Sequence, residues 1–304
     1  MLSLSSDRAQ DFLELMRFDK PIGTLLLLWP TLSALWLAAD GIPAFDVLII
    51  FILGVVFMRA AGCAINDYAD RNIDGAVART HDRPLADGRV SPREALAVFS
   101  ALSLLSFVLV LLTNSLTVLL SVVAAILVAL YPFAKRYTHL PQVVLGAAWA
   151  WVVPMAFAAQ TGTISRHIWP FYLGVVLWTV AFDTFYAMVD REDDKKIGVK
   201  STAILFAEMD LMLIGLLQGG VIVALLITGQ AFSLTGWYFA GVAIIALLFV
   251  KQHLIARDRD REGCFAAFRQ NNTVGAVLFV AIVLDTSDVA TDFLFSIFGH
   301  LSFY

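Results

Sequence analysis

The sequence predicts an all-α membrane protein with nine transmembrane helices, and three observations predict it. Hydrophobic residues make up 60% of the 304 residues, charged residues only 15%, and mean hydropathy is +0.80. Soluble domains carry about 25% charged residues, so lipid must be part of this chain's solvent. Long runs are free of charge: Ile22 to Ala39, and forty residues each from Ala95 to Ala134 and from Leu211 to Val250. A forty-residue helix would be about 60 Å long against a hydrocarbon core of about 30 Å, so each long run folds back on itself. Turn chemistry marks where, at Thr113-Asn114-Ser115 and at Thr228-Gly229-Gln230 with Thr235-Gly236. Finally, the basic residues fall almost entirely on one side.

The spans read 22–40, 46–65, 95–112, 116–133, 141–160, 167–187, 209–228, 235–252 and 273–290. They lack the alternating polarity of a membrane barrel strand, which leaves helices as the way to satisfy the backbone in lipid. The ninth is interrupted by Asp285, Asp288 and Asp292. The first twenty residues are mixed in charge, neither a cleaved signal nor an acid-poor transit peptide, so the first helix targets the chain. One integral-membrane domain covers 1–304, with 1–20 a cytoplasmic segment and 285–304 a tail of unassigned role. Cys63 and Cys264 indicate neither a disulfide framework nor a zinc pattern.

Nineteen of the 21 Lys and Arg residues lie in the N-terminal segment or in the connections after helices 2, 4, 6 and 8. Of the others, Arg166 is on the opposite side and Arg59 lies inside helix 2. The positive-inside rule then puts the N-terminus and these four connections in the cytoplasm. A net charge of −4, with the basic residues segregated by side, excludes a nucleic-acid footprint.

Two acidic clusters sit on that side. In Asn66-Asp67-Tyr68-Ala69-Asp70-Arg71-Asn72-Ile73-Asp74, helical spacing puts Asn66, Asp70 and Asp74 on one face, with Asp67 about 100° away. In the segment from Asp183 to Asp194, Asp183, Asp190 and Asp194 share a face and Asp193 borders it. Carboxylates stacked at i,i+4 repel, and more so at a membrane boundary, unless a cation neutralises them. Solvated helix ends also carry acids, but two clusters on one side and at one depth favour a shared ligand. Oxygen-only donors select a hard cation, and Mg²⁺ binds one or two carboxylates together with substrate phosphates. Arg79, Arg83, Lys135, Arg136 and Lys200, with Lys195 and Lys196, lie where a diphosphate needs positive partners. Helices 2 and 6 each end in such a cluster, four spans apart, a repeat that implies two four-helix halves plus a ninth helix.

Two other readings fit less well. Asp74-Gly75-Ala76-Val77-Ala78-Arg79, with Gly88 downstream, matches the opening of a CDP-alcohol phosphotransferase signature. That signature then requires aspartates where this chain has Pro92 and Leu96. A transporter is compatible with intramembrane acids and a repeat, but its site would lie at the midplane rather than at one boundary.

The segments NDYADRNID with RPL, and DTFYAMVDREDD with GVKSTAILF, resemble the two signature regions of the UbiA family of intramembrane prenyltransferases. DKPIGTLLLLWP (19–30) and YPFAKRYTHLPQVVLGAAWAW (131–151) resemble its 4-hydroxybenzoate polyprenyltransferase branch. The resemblance runs from about Arg17 to about Leu278. It implies nine helices around a central cavity open to lipid, in a bacterial inner membrane. It implies Mg²⁺-dependent transfer of a polyprenyl group from polyprenyl diphosphate to the ring carbon ortho to the hydroxyl of 4-hydroxybenzoate, in ubiquinone biosynthesis. By it, the metal and diphosphate fall to Asn66, Asp67, Asp70, Asp74, Asp190 and Asp194, and Arg83, Lys135 and Arg136 complete the diphosphate site. Asp70, Asp190, Asp183 and Arg136 are the catalytic candidates, with Asp183 a candidate acceptor of the ring proton. Lys20 or Arg59 is the candidate partner of the acceptor's carboxylate. Tyr68, Phe185 and Tyr186 are aromatic candidates for shielding an allylic cation.

Overall fold

The structure is a computed structural model and describes residues 6–287. Among the described residues it is helical, with no strand. A short helix α1 (Ser6–Leu15) precedes α2 (Ile22–Ala39), α3 (Phe45–Asp70), α4 (Pro92–Val110), α5 (Ser115–Tyr137), α6 (Pro141–Ala150) and α7 (Val152–Thr161). Then follow α8 (Trp169–Ile197), the short α9 (Thr202–Phe206), α10 (Asp210–Ala231), α11 (Gly236–Ile255) and α12 (Arg261–Thr286). Nine candidate spans result among the described residues, with α6 and α7 together making the fifth. Each span packs against the next, and α12 returns to α2 to close a ring; α2 also meets α7, and α8 meets α12, across the two halves.

Local chemistry sets the ends. Ser91 caps α4 in a reciprocal capping box with Glu94, behind Pro92 in the first turn. Asn114 accepts from Thr117 N at 3.0 Å and starts α5. Gly198 ends α8 at φ 72°, in the left-handed region that suits glycine. The fifth span breaks at Trp151 because Pro154 has no N–H to give the carbonyl four residues back.

Two expected spans differ in extent. The sixth runs to Ile197 rather than 187, because the acidic segment stays helical. The ninth begins at Arg261 rather than 273, capped by Asp260, whose side chain accepts from Gly263 N at 3.1 Å. Asp285 does not interrupt it. Its carboxylate accepts from Thr235 N at 2.7 Å, Thr235 Oγ1 at 2.6 Å and Tyr238 N at 3.2 Å, so it caps the first turn of α11. Asp288, Asp292 and the expected tail lie outside the described residues.

Large apolar side chains such as Leu104, Leu112, Leu119, Ile126, Leu216 and Leu247 are exposed on the outer faces. Such a surface is stable only where lipid covers it: the chain is an integral membrane protein. Within the N-terminal segment, Ser6–Leu15 form a helix. Leu15 is fully buried and packs with Ala64, Leu85, Val90 and Ala95, pinning α1 to α3 and to the connection between α3 and α4.

Candidate active site

The two acidic clusters converge. A polar pocket of about 140 Å³ lies at the end of the bundle that carries the basic connections. Asn66, Asp70 and Asp74 line it from one side and Asp183, Asp190 and Asp194 from the other. Asp74 reaches it by a different route from the one helical spacing implied. α3 ends at Asp70, the chain turns, and Asp74 opens a short 3-10 turn (Asp74–Ala76). Thr80 Oγ1 holds that turn by donating to the Asp74 carbonyl at 2.8 Å.

Four basic residues line the same pocket: Arg79, Arg83, Lys135 and Lys200. Arg79 Nε is 3.0 Å from both Asp190 oxygens, and its guanidinium lies 4.4 Å from the Tyr186 ring centroid, with a further bond to the Tyr186 hydroxyl. Arg83 Nη1 donates to Asp74 at 2.9 Å and Asp67 at 3.1 Å. Lys135 pairs with Asp70. Lys200 donates from its backbone to the Lys135 carbonyl at 3.3 Å, which ties the connection after α8 to the end of α5. Burial pushes the Asp74 carboxyl above its usual range; Arg83 opposes this and Asp70 and Asp67 add to it. For Arg83, burial works against the charge but Asp67 and Asp74 outweigh it, so its pKa is raised.

The donors that face the pocket's interior are oxygens, with no cysteine or histidine in the lining. Asp70 Oδ1 is buried without a hydrogen-bond partner. Among the described residues no three acids form a ready-made cage. That arrangement fits Mg²⁺, which takes a few carboxylates and completes its shell with water and substrate phosphate; it does not fit a closed structural metal site.

Other expected residues lie elsewhere. Asp67 does not line the pocket: it is buried between Arg17 and Arg83. Arg136 donates to the Ala69 carbonyl and lies 5.8 Å from the Phe133 ring, so it braces α3 against α5 from outside the lining. Lys20 is exposed, with Asp19 at 3.6 Å. Asp193 turns away to Arg261 at 2.9 Å and Lys196 at 3.3 Å. Phe185 is fully buried core, and Tyr68 sits under Arg71 at 4.4 Å; of the three aromatic candidates only Tyr186 lines the pocket.

Arg59 is an intramembrane cation without a carboxylate ion pair among the described residues. Its Nη1 donates to Cys63 Sγ at 3.0 Å, its guanidinium stands 5.7 Å from the Trp149 ring, and its Nε is buried without a partner. It lies within electrostatic reach of Asp183 and Tyr131, which line the pocket.

The lining also includes residues that were not candidates from sequence, and two of them carry polar groups close to the acids. Tyr131 sits just before Pro132 in α5, and Gln142 follows Pro141 at the start of α6. Gln142 lines the pocket together with Asp183, and its Oε1 accepts from Thr202 N at 3.0 Å. Thr202 Oγ1 is in turn 2.7 Å from Thr184 Oγ1. The signal was a lone amide at the mouth of an otherwise apolar span.

The chain matches the model of the UbiA prenyltransferase family over residues 27–282. It is 56% identical over 278 residues to a 4-hydroxybenzoate octaprenyltransferase of Ectopseudomonas mendocina (strain ymp), covering 91% of this chain and 94% of that one. It is 53% identical over 282 residues to a 4-hydroxybenzoate octaprenyltransferase of Aeromonas salmonicida, covering 93% and 98%. Among solved structures, a UbiA homolog from Aeropyrum pernix K1 superposes with a TM-score of 0.78 at 27% identity, covering 87% of this chain and 98% of that one. A UbiA homolog from Archaeoglobus fulgidus bound to GPP and Mg²⁺ shares the fold, with a TM-score of 0.68 at 20% identity over 91% and 99% of the two chains. The nine-span ring and its facing acidic clusters are therefore those of a family member: this chain belongs to the UbiA prenyltransferase family.

Proposed function

We propose that this chain transfers a polyprenyl group from a polyprenyl diphosphate to the ring carbon ortho to the hydroxyl of 4-hydroxybenzoate, releasing diphosphate, in ubiquinone biosynthesis. One observation carries the reading. Six acidic or amide side chains from α3, the turn after it and α8 share one pocket with four basic residues. Full-length relatives at more than half identity named for this reaction support it.

The chemistry follows from charge. The allylic C–O bond breaks and its electron pair leaves with the diphosphate. Arg79, Arg83, Lys135 and Lys200 meet that developing negative charge, where fixed cations are most effective. Bound Mg²⁺, held by Asn66, Asp70, Asp74, Asp190 and Asp194, would add Lewis-acid neutralisation of the diphosphate oxygens. Substrate phosphate would draw Arg79 and Lys135 off Asp190 and Asp70, freeing those carboxylates for the cation. The faces of Tyr186 and Tyr131 stabilise the allylic cation. The electron-rich ring carbon ortho to the phenol forms the new C–C bond and then loses its proton, which restores aromaticity. Asp183, which lines the pocket beside Gln142, is the proposed acceptor of that proton. Arg59 is the proposed partner of the acceptor's carboxylate, because it is an intramembrane cation with no carboxylate ion pair among the described residues. Lys20 is exposed and sits beside Asp19, so Arg59, inside the span, is proposed in its place. The Lys and Arg content of these connections supports a pocket that faces the cytoplasm from a bacterial inner membrane.

The test is a product assay with purified protein, 4-hydroxybenzoate, Mg²⁺ and a panel of polyprenyl diphosphates and phenolic acceptors. C-prenylated 4-hydroxybenzoate is expected, with diphosphate released in equal amount. Turnover only with acceptors that lack a carboxylate would overturn the acceptor assignment.

A further inference from the structure

The acidic motif at the end of α3 contains one carboxylate that the pocket does not use. Asp67 is 1% exposed and both its oxygens are occupied. Arg17 Nη2 donates to Oδ1 at 3.0 Å and to Oδ2 at 2.8 Å, and Arg83 Nη1 donates to Oδ1 at 3.1 Å. Arg83 also pairs with Asp74 in the pocket. A continuous chain of charge therefore runs Arg17, Asp67, Arg83, Asp74, from the N-terminal segment into the site.

Arg17 stands in an unusual backbone position. Phe18 N donates to the Leu13 carbonyl and Arg17 N to the Glu14 carbonyl, each at 3.0 Å, the two bonds of a Schellman motif closing α1. Arg17 is its left-handed residue, at φ 59°, where glycine is usual and a side chain is unfavourable. Its guanidinium folds back onto the Glu14 carbonyl at 2.6 Å while reaching Asp67. The helix that carries it is fastened separately to the connection bearing Arg79 and Arg83. Arg89 bonds Asp11 at 2.7 Å and Glu14 at 2.8 Å, and Leu15 is buried beneath them.

We propose that Arg17 is a positioning residue that aims Arg83 through Asp67, and that Asp67 bridges two arginines instead of binding metal. This rests on the reading that the pocket holds a diphosphate. The physical reason is the cost of an unpaired buried charge. When Arg83 swings toward phosphate, its hold on Asp67 weakens. Arg17, bidentate and anchored by α1, keeps that carboxylate neutralised, so Arg83 is free to engage the substrate. Without Arg17, Asp67 holds Arg83 back.

The experiment uses the full-length protein in lipid nanodiscs and compares wild type with Arg17→Gly, Arg17→Lys, Asp67→Asn and the Arg17→Gly/Asp67→Asn double variant. Binding of inorganic diphosphate in the presence of Mg²⁺ is measured by calorimetry, alongside KM for polyprenyl diphosphate, KM for 4-hydroxybenzoate and the Mg²⁺ midpoint. Glycine suits the backbone at position 17, so Arg17→Gly is expected to unfold no earlier than wild type. It should nonetheless weaken diphosphate binding and raise the prenyl diphosphate KM about tenfold, the scale of a lost coupling between neighbouring charges. Arg17→Lys should recover part of that loss. Asp67→Asn removes the charge that holds Arg83 back, so the double variant should bind diphosphate better than Arg17→Gly alone. The 4-hydroxybenzoate KM and the Mg²⁺ midpoint should not move in any of them. Wild-type diphosphate binding by Arg17→Gly, additive losses in the double variant, or a Mg²⁺ midpoint displaced in Asp67→Asn would each overturn the proposal. A wild-type chain that binds diphosphate but yields no prenylated product would count against the proposed function and leave this test intact.

Discussion

At the scale of single residues, three of the pocket's carboxylates are ion-paired with its own basic residues. Arg79 covers Asp190 and Lys135 covers Asp70, yet Asp70 Oδ1 stays buried and unpartnered, a group waiting for a ligand. Asp70→Asn and Asp190→Asn should each lower turnover by roughly a hundredfold or more, while the folded protein persists in detergent; near wild-type rates would remove both from the metal set. Gly23 offers a second handle. A Cβ there would collide with the Arg59 guanidinium, so Gly23→Ala must push Arg59 aside. The KM for 4-hydroxybenzoate should rise while that for polyprenyl diphosphate stays put, as steady-state titration of each substrate would report. An unchanged acceptor KM would remove Arg59 from the acceptor site. The identity of most of these residues was legible in the sequence, because stacked acids at helical spacing are costly without a cation. Their partners were not. Which arginine covers which carboxylate depends on how the connection after α3 folds. Helical spacing carried Asp74 to the right face but by the wrong backbone, since α3 ends at Asp70.

At the scale of elements, α8 shapes the site, and both α8 and α12 are longer than hydropathy implied. α8 carries Asp183, Asp190 and Asp194 on one continuous helix to Ile197, so the three keep their common face beyond the apolar part of the span. Hydropathy stops where charge begins, whereas the helix stops where Gly198 takes up a left-handed conformation. α12 hides its start in charged residues and its end in Asp285. That aspartate looks like an interruption in sequence, but it caps α11 through Thr235 and Tyr238, a relation no local pattern reveals. Asp285→Ala should therefore cost about 1 kcal/mol, as loss of a helix cap does, measured by reversible unfolding in mixed detergent. Activity under conditions that keep the protein folded should be unaffected. A stability equal to wild type would mean that water replaces the cap.

At the scale of the whole molecule, the ring of spans sets two acidic helix ends across one pocket, with the basic connections closing over it. The span number was legible because lipid imposes it through charge-free length, while Lys/Arg asymmetry supplies an expected side. The closure of α12 on α2 was not legible, since it depends on side-chain fit between segments far apart in sequence. Single cysteines at Arg166 and at Lys195, in a chain whose Cys63 and Cys264 are replaced, should label from opposite faces of sealed inverted vesicles, Lys195 from the outside. Labelling of both from one face would refute the topology. The central claim is that the two acidic clusters jointly hold a metal-bound prenyl diphosphate. Its most direct test is a crystallographic complex with a non-reacting prenyl thiodiphosphate and Mn²⁺ in place of Mg²⁺, located by anomalous scattering. Manganese is expected between Asp70 or Asp74 on one side and Asp190 or Asp194 on the other, with the diphosphate reached by Arg79, Arg83 and Lys135. Manganese bound to one cluster alone, or a diphosphate lying outside this pocket, would contradict it.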